Sequence, residues 1–175
     1  MSIAARTSNV IIRPAPPRQA GARGMAASRT GWEAKLRPDL QPEVVIDPRQ
    51  GGRMLVATPL LVAAEVARVR RGEVVTTGEL RLRLARHFCA DRTCPASTGI
   101  FLAVVAGAVS EDLLRGRKPR WPIWRVVSDD GRLHPNWPLD ARWRAAKLRE
   151  EGRVVGQCDG VWHVRRPDPA GQLSN

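Results

Sequence analysis

The stretch Gly72-Glu-Val-Val-Thr-Thr-Gly-Glu-Leu80 ends one helical pattern and begins another within a few residues. Behind it, Thr58 is placed to cap, Pro59 suits a first helical position, and Val62, Val66 and Val69 recur at helical spacing until Gly72 stops the run. Ahead of it, Thr76 and Glu79 form a capping box before Leu80, Leu84 and Phe88, which predicts a second helix ending near Cys89. A third is predicted from Pro95, with Thr93 or Cys94 as its cap, to about Leu114. Its buried stripe is Phe101, Val104, Val105 and Ala108. Three helices, two of them joined by so tight a turn, suggest a helix-turn-helix core.

Downstream, the short β-branched segment Ile123 to Val127 reads as a strand, and Asp130-Gly131 as a turn. Pro138 to Glu151 reads as a helix, with Trp143 and Leu148 at apolar positions and Gly152 at its end. Arg153 to Gln157 and Val161 to Val164 flank Asp159-Gly160, a dipeptide suited to a hairpin turn. The expected fold is mainly α with small β, a winged helix-turn-helix-like domain over residues 55–165. An extended lead-in over 31–54 precedes it, with Val44 to Ile46 as a short strand. Residues 1–30 carry five arginines, no acid and the loop-like Arg13-Pro-Ala-Pro-Pro-Arg18, which predicts a disordered basic arm. Residues 166–175 read as a flexible polar tail.

A chain of 175 residues allows one domain plus tails. Its net charge of +12 suits phosphate polymers, although 26 of its 29 cations are arginine, a bias that base composition alone can produce. Cys89, Cys94 and Cys158 are an odd number with no repeated C-x-x-C pair. That indicates neither a disulfide framework nor a zinc ribbon, and fits a reducing cytoplasm. The longest apolar run, Ile100 to Val109, is short of the roughly 20 residues that cross a bilayer, so no membrane partner is expected.

Pro122-Ile-Trp-Arg-Val-Val127, then Asp130-Gly131, then Lys147-Leu-Arg-Glu-Glu-Gly152 stand in the order seen in one family. Together they resemble the DNA-binding domain of methylguanine DNA methyltransferases and alkyltransferase-like proteins. Arg71-Gly-Glu-Val-Val-Thr-Thr-Gly-Glu79 is similar to that family's helix entry, so the resemblance spans roughly residues 55 to 155. Repair members carry Pro-Cys-His-Arg-Val, in which a cysteine activated by histidine, itself oriented by a glutamate, accepts an alkyl group from a flipped base. Here Ile123 stands at the cysteine position and Trp124 at the histidine position, while Arg125 and Glu151 match the retained arginine and glutamate. The resemblance implies a non-enzymatic, alkyltransferase-like DNA-binding protein with a pocket at Ile123, Trp124 and Glu151. It implies no catalytic residue, cofactor or metal. The partners it implies are double-stranded DNA, with recognition of alkylated guanine, and a repair protein. The location it implies is cytoplasmic, at the nucleoid if bacterial.

Within that reading Thr77 takes the place of the family tyrosine that meets DNA. Arg115, Arg117, Lys118 and Arg120 put four cations within six positions, where they can neutralise phosphates. Arg81 and Arg86 on the second helix, Arg92 and Thr98 around the start of the third, and Arg125 complete the expected DNA contacts. Cys94, before Pro95 and near Arg92, is a candidate reactive thiol set against the plainer reading of a structural cap residue. His87, Cys89, Asp91 and Cys94 match no zinc module's spacing, and His134 and His163 read as surface or hairpin residues. Two alternatives stand beside the leading reading: a repurposed winged domain that contacts another protein, and an alkyl acceptor using Cys94.

Overall fold

Thr58 opens helix α1 (Pro59–Ala67) with its hydroxyl, which accepts the Leu61 amide at 3.2 Å. The computed structural model describes residues 31–165; the arginine-rich arm at 1–30 and the tail at 166–175 lie outside the described residues. Helix α2 (Thr77–His87) begins with both halves of its capping box in place: Thr76 Oγ1 accepts the Glu79 amide, and Glu79 Oε2 accepts the Thr76 amide. Helix α3 (Pro95–Leu114) uses Cys94 as its N-cap without any side-chain cap bond, since a thiol is a weak acceptor, while proline at the first position removes one of the amides needing a partner. Helix α4 (Ala141–Glu150) is capped by Asp140, which accepts the Trp143 amide at 2.8 Å.

Among the described residues, seven short strands form three small sheets around these helices, so the architecture is mixed. Strands β1 (Glu43–Ile46) and β2 (Arg53–Val56) are antiparallel, and β2 pairs in parallel with β4 (Arg92–Thr93). Strand β3 (Val75–Thr76) pairs in parallel with β5 (Val126–Val127), which fixes the start of α2 beside the segment at 122–127. Strands β6 (Val155–Cys158) and β7 (Val161–Val164) make the expected hairpin, with Asp159 and Gly160 both at positive φ as a tight primed turn requires.

The main core gathers Val62 and Val66 from α1, Leu80 and Leu84 from α2, Leu102, Val105 and Val109 from α3, and Ile123. A second cluster joins Val127 and Leu133 to Leu148 of α4 and to Val155 and Val164 of the hairpin. The segment 31–54 does more than lead in. It holds a 3-10 turn at Glu33–Leu36 and strand β1, and it buries Leu36 and Val44. Helix α3 is apolar and long enough to cross a bilayer by length and composition, but half of its most apolar window is buried in the protein. Leu102, Val105, Ala106 and Val109 explain that composition by packing against the rest of the core.

Candidate nucleic-acid interface

Residues 123–127 are not one strand. Ile123–Arg125 form a 3-10 turn, and only Val126 and Val127 are extended. Pro122 has no amide proton, and its carbonyl accepts the Arg125 amide at 3.0 Å, so the chain turns before it pairs. Ile123 is therefore packed wholly inside the main core rather than lining an open pocket. The half-buried Trp124 meets Trp143 edge-on, with centroids 5.5 Å apart, and its indole Nε1 donates to Glu151 Oε1 at 3.0 Å.

Glu151 collects further donors. Arg125 reaches it through Nε at 2.9 Å and Nη2 at 2.7 Å, and the Gly72 amide donates at 3.2 Å. Burial acts to raise the Glu151 carboxyl, but Arg125, Trp124 and Gly72 outweigh it and hold the group below the usual glutamate value. Arg125 also donates from Nη1 to the Val69 carbonyl at 2.6 Å, and its side chain is only 13% exposed. Its expected place at a DNA surface is thus replaced by an internal one, where it ties the turn after α1 to the end of α4. Neither Ile123 nor Trp124 offers a nucleophile or a base. An indole nitrogen donates and does not accept a proton, and isoleucine has no nucleophilic atom.

At the entry to α2, Thr77 Oγ1 donates to the Val127 carbonyl at 3.1 Å and lies 3.0 Å from His134 Nε2. A hydroxyl has one proton, so with it given to Val127 the imidazole contact uses an Nε2–H donor. His134 is not a surface residue: it stacks on Trp137 at 4.4 Å, and its carbonyl accepts Nη2 of the fully buried Arg144 at 2.7 Å. Burial, with help from Arg144, holds the His134 imidazole below its ordinary 6.5. The same desolvation pushes Arg144 down to about 10, against the opposing charge of Asp140. Next to Thr77, the Gly78 amide donates to Asp129 Oδ1 at 2.7 Å, and Arg81 stands 3.7 Å from Asp129 Oδ2. Glycine makes this approach possible, since a Cβ at 78 would stand 2.7 Å from that oxygen.

The remaining expected contacts divide clearly. Arg86 on α2 and Lys118 in the loop after α3 are exposed. Arg92 is engaged with Asp47 at 2.7 Å and Gln50 at 2.8 Å. Thr98 is fully buried and its hydroxyl donates to the Cys94 carbonyl at 2.8 Å, the backward bond a helical threonine readily makes, so it cannot reach a phosphate. Arg115, Arg117 and Arg120 are all paired: Glu33 lies 3.0 Å from Arg115 and from Arg120, and Asp112 lies 2.7 Å from Arg117 and 2.9 Å from Arg120. Cys94 is half-buried at the cap of α3, and Cys89 and Cys158 are exposed thiols. His87 turns toward Glu65 at 3.5 Å, and Asp91 Oδ2 accepts the Arg53 amide, so neither joins a group with Cys89 and Cys94. Sequence reading misses Glu33, Asp112, Asp129 and Arg144. Glu33 meets its arginines across more than 80 positions, a distance that no local pattern encodes.

No family model matches the chain, and no curated protein matches it. Two solved structures from S. pombe are similar in outline. One is Atl1 in complex with damaged DNA containing O6-carboxymethylguanine, at 17% identity; the other is ATL in complex with DNA, at 18%. Each gives a TM-score of 0.44 over 61% of this chain and 87% of the other. At that level the likeness is one of backbone path only.

Proposed function

We propose that this protein binds duplex DNA without modifying it, as a winged helix-turn-helix domain of alkyltransferase-like kind in which the β6–β7 hairpin is the wing. One observation carries the non-enzymatic half of the reading. Where the resembled repair proteins need a thiol beside an imidazole, this chain has Ile123 sealed in the core and a tryptophan whose only polar atom is engaged by Glu151. The net charge of +12 and the exposed cations Arg86 and Lys118 support the binding half. Recognition of alkylated guanine and recruitment of a repair protein are the finer parts of the proposal, and they rest on the family motifs.

A fluorescence anisotropy titration with a plain duplex and one carrying an alkylated guanine tests both levels. Binding that weakens steeply with salt is expected, and the absence of binding at low salt would sink the reading. A preference for the alkylated duplex is expected if the damage-recognition part holds.

A second reading draws on the first turns of α3, where Pro95, Ala96, Gly99 and Ile100 are exposed and no cation stands among them. Ile100 is 62% exposed, and such a face suits an apolar protein surface better than a phosphate backbone. Failure of the chain to bind duplex DNA at low salt would favour this reading over the first.

A further inference from the structure

Three guanidinium groups converge on one exposed carboxylate at the C-terminal end of α3. Glu33 Oε2 lies 3.0 Å from Arg115 Nη1 and 3.8 Å from Arg117 Nη2, and Glu33 Oε1 lies 3.0 Å from Arg120 Nη1. Beneath them Asp112, only 1% exposed, fixes two of the three: Arg117 through Oδ1 at 2.7 Å, and Arg120 through Oδ2 at 2.9 Å. The Arg117 amide donates to the Asp112 carbonyl at 2.8 Å, so the backbone of the loop is set as well. Asp112 is thus a buried organiser, whereas Glu33 is a rim occupant with a 43% exposed side chain.

The two acids differ in how easily they are replaced. Asp112 is itself buried beneath Arg117 and Arg120, out of reach of an incoming anion, whereas exposed ion pairs such as those of Glu33 are weak and exchange readily for another anion. Three planar donors held around one carboxylate present the geometry that a phosphodiester also satisfies. Glu33 itself is held in place from outside this set, because the Trp32 and Glu33 amides donate to Glu111 at 2.6 and 3.2 Å.

We propose that Arg115, Arg117 and Arg120 form a backbone-phosphate site in which Glu33 is the resident anion, so that nucleic acid engages this loop by displacing Glu33. The proposal rests on the duplex-binding reading above. It makes residues 31–36 a self-supplied competitor for the loop and accounts for a basic run whose three arginines are already paired.

The test compares full-length wild type, Glu33→Gln and Glu43→Gln by anisotropy with a plain duplex over a salt series, and adds Arg115→Ala in the wild-type and Glu33→Gln backgrounds. Glu43 is an exposed residue of β1, so its variant makes the same charge change away from the cradle. Glu33→Gln keeps the side chain's size, and Arg115 pairs with Glu33 rather than with buried Asp112, so neither change opens the core. The expected result is several-fold tighter binding by Glu33→Gln than by either wild type or Glu43→Gln. Its log–log salt slope should be steeper by about 0.9 for each phosphate gained. Arg115→Ala should then cost more affinity in the Glu33→Gln background than in wild type. If Glu33→Gln matches Glu43→Gln, or if Arg115→Ala costs the same in both backgrounds, the cradle proposal is overturned while duplex binding stands. If no variant binds the duplex at low salt, duplex binding itself falls and the cradle proposal falls with it.

Discussion

Trp124 Nε1 donates to Glu151 Oε1 at 3.0 Å, and the same carboxylate receives two bonds from Arg125. One carboxylate thus joins an indole and a guanidinium at the junction of the 3-10 turn and the end of α4. Glu151 is 7% exposed, so Glu151→Ala leaves Arg125 buried without its anion and should lower stability by about 3 kcal/mol or more. Trp124→Phe loses one hydrogen bond while keeping most of the packing, and should cost about 1 kcal/mol. Urea unfolding of both variants checks the order. A smaller loss for Glu151→Ala than for Trp124→Phe would show that the Arg125 pair is not what holds this junction.

A thiol placed at position 123 would not be reactive. Ile123→Cys would place a thiol inside the main core, against α1 and α3, with Trp124 beside it in place of a base. A thiol in apolar surroundings stays protonated and unreactive. Incubation of Ile123→Cys with a duplex containing O6-methylguanine is therefore expected to leave the intact protein mass unchanged. A gain of one methyl group would show that residue 123 reaches the base after all.

The helices were legible because their signals are local: Thr58 before Pro59, the reciprocal pair Thr76 and Glu79, and Pro95 opening α3 all lie within a turn of the structure they specify. Ile123 to Val127 was misread because β-branched residues serve equally in a strand and in a turn that fills a core. What separates the two cases is the carbonyl of Pro122 and the core that α1 and α3 build around Ile123, and neither is a pattern in five residues. The candidate site was legible as a set of residue types but not as a set of partners. Arg125 and Arg115 both read as free cations until Glu151 and Glu33 are brought in by the fold. Thr98 could have been set aside from sequence alone, since a threonine four positions after a cap can turn its hydroxyl back onto the cap carbonyl.

Acid should loosen the region around α2's first turn before it unfolds the rest. Burial and Arg144 lower the His134 pKa, and the Val127 carbonyl, Asp129 and Asp130 act against them without reversing the shift. The unfolded chain, with an ordinary imidazole, therefore binds more protons than the folded one between the folded value and 6.5. Stability from this residue is complete above the unfolded value and is lost as the pH falls through the folded one. Glu151 and Asp47, both lowered, act in the same sense but at more acid pH. His134→Gln should flatten the stability curve just below pH 6.5 while leaving the steeper acid limb, as measured by thermal melts across pH. A limb that shifts while the shallow slope remains would assign the effect to the carboxylates instead.

Gly107, in the middle of α3, faces the indole of Trp32 so closely that a Cβ would lie 2.2 Å from its Cδ2. Two effects of Gly107→Ala oppose each other. Alanine in place of glycine inside a helix gains about 1 kcal/mol, whereas overpacking a filled contact costs about 1–3 kcal/mol and would lift the indole off the helix. Displacing Trp32 should also pull its amide away from Glu111. The clash should win in the wild-type background, giving a lower melting temperature and faster hydrogen exchange at the Trp32 and Glu33 amides. With Trp32→Ala present the obstacle is gone and only the helix term remains, so Gly107→Ala should then stabilise. A change of sign between the two backgrounds is the decisive reading. If Gly107→Ala stabilises both equally, the indole does not rest on this glycine and the 31–36 turn is held by Glu111, the Glu33 ion pairs and the packing of Leu36 on α3.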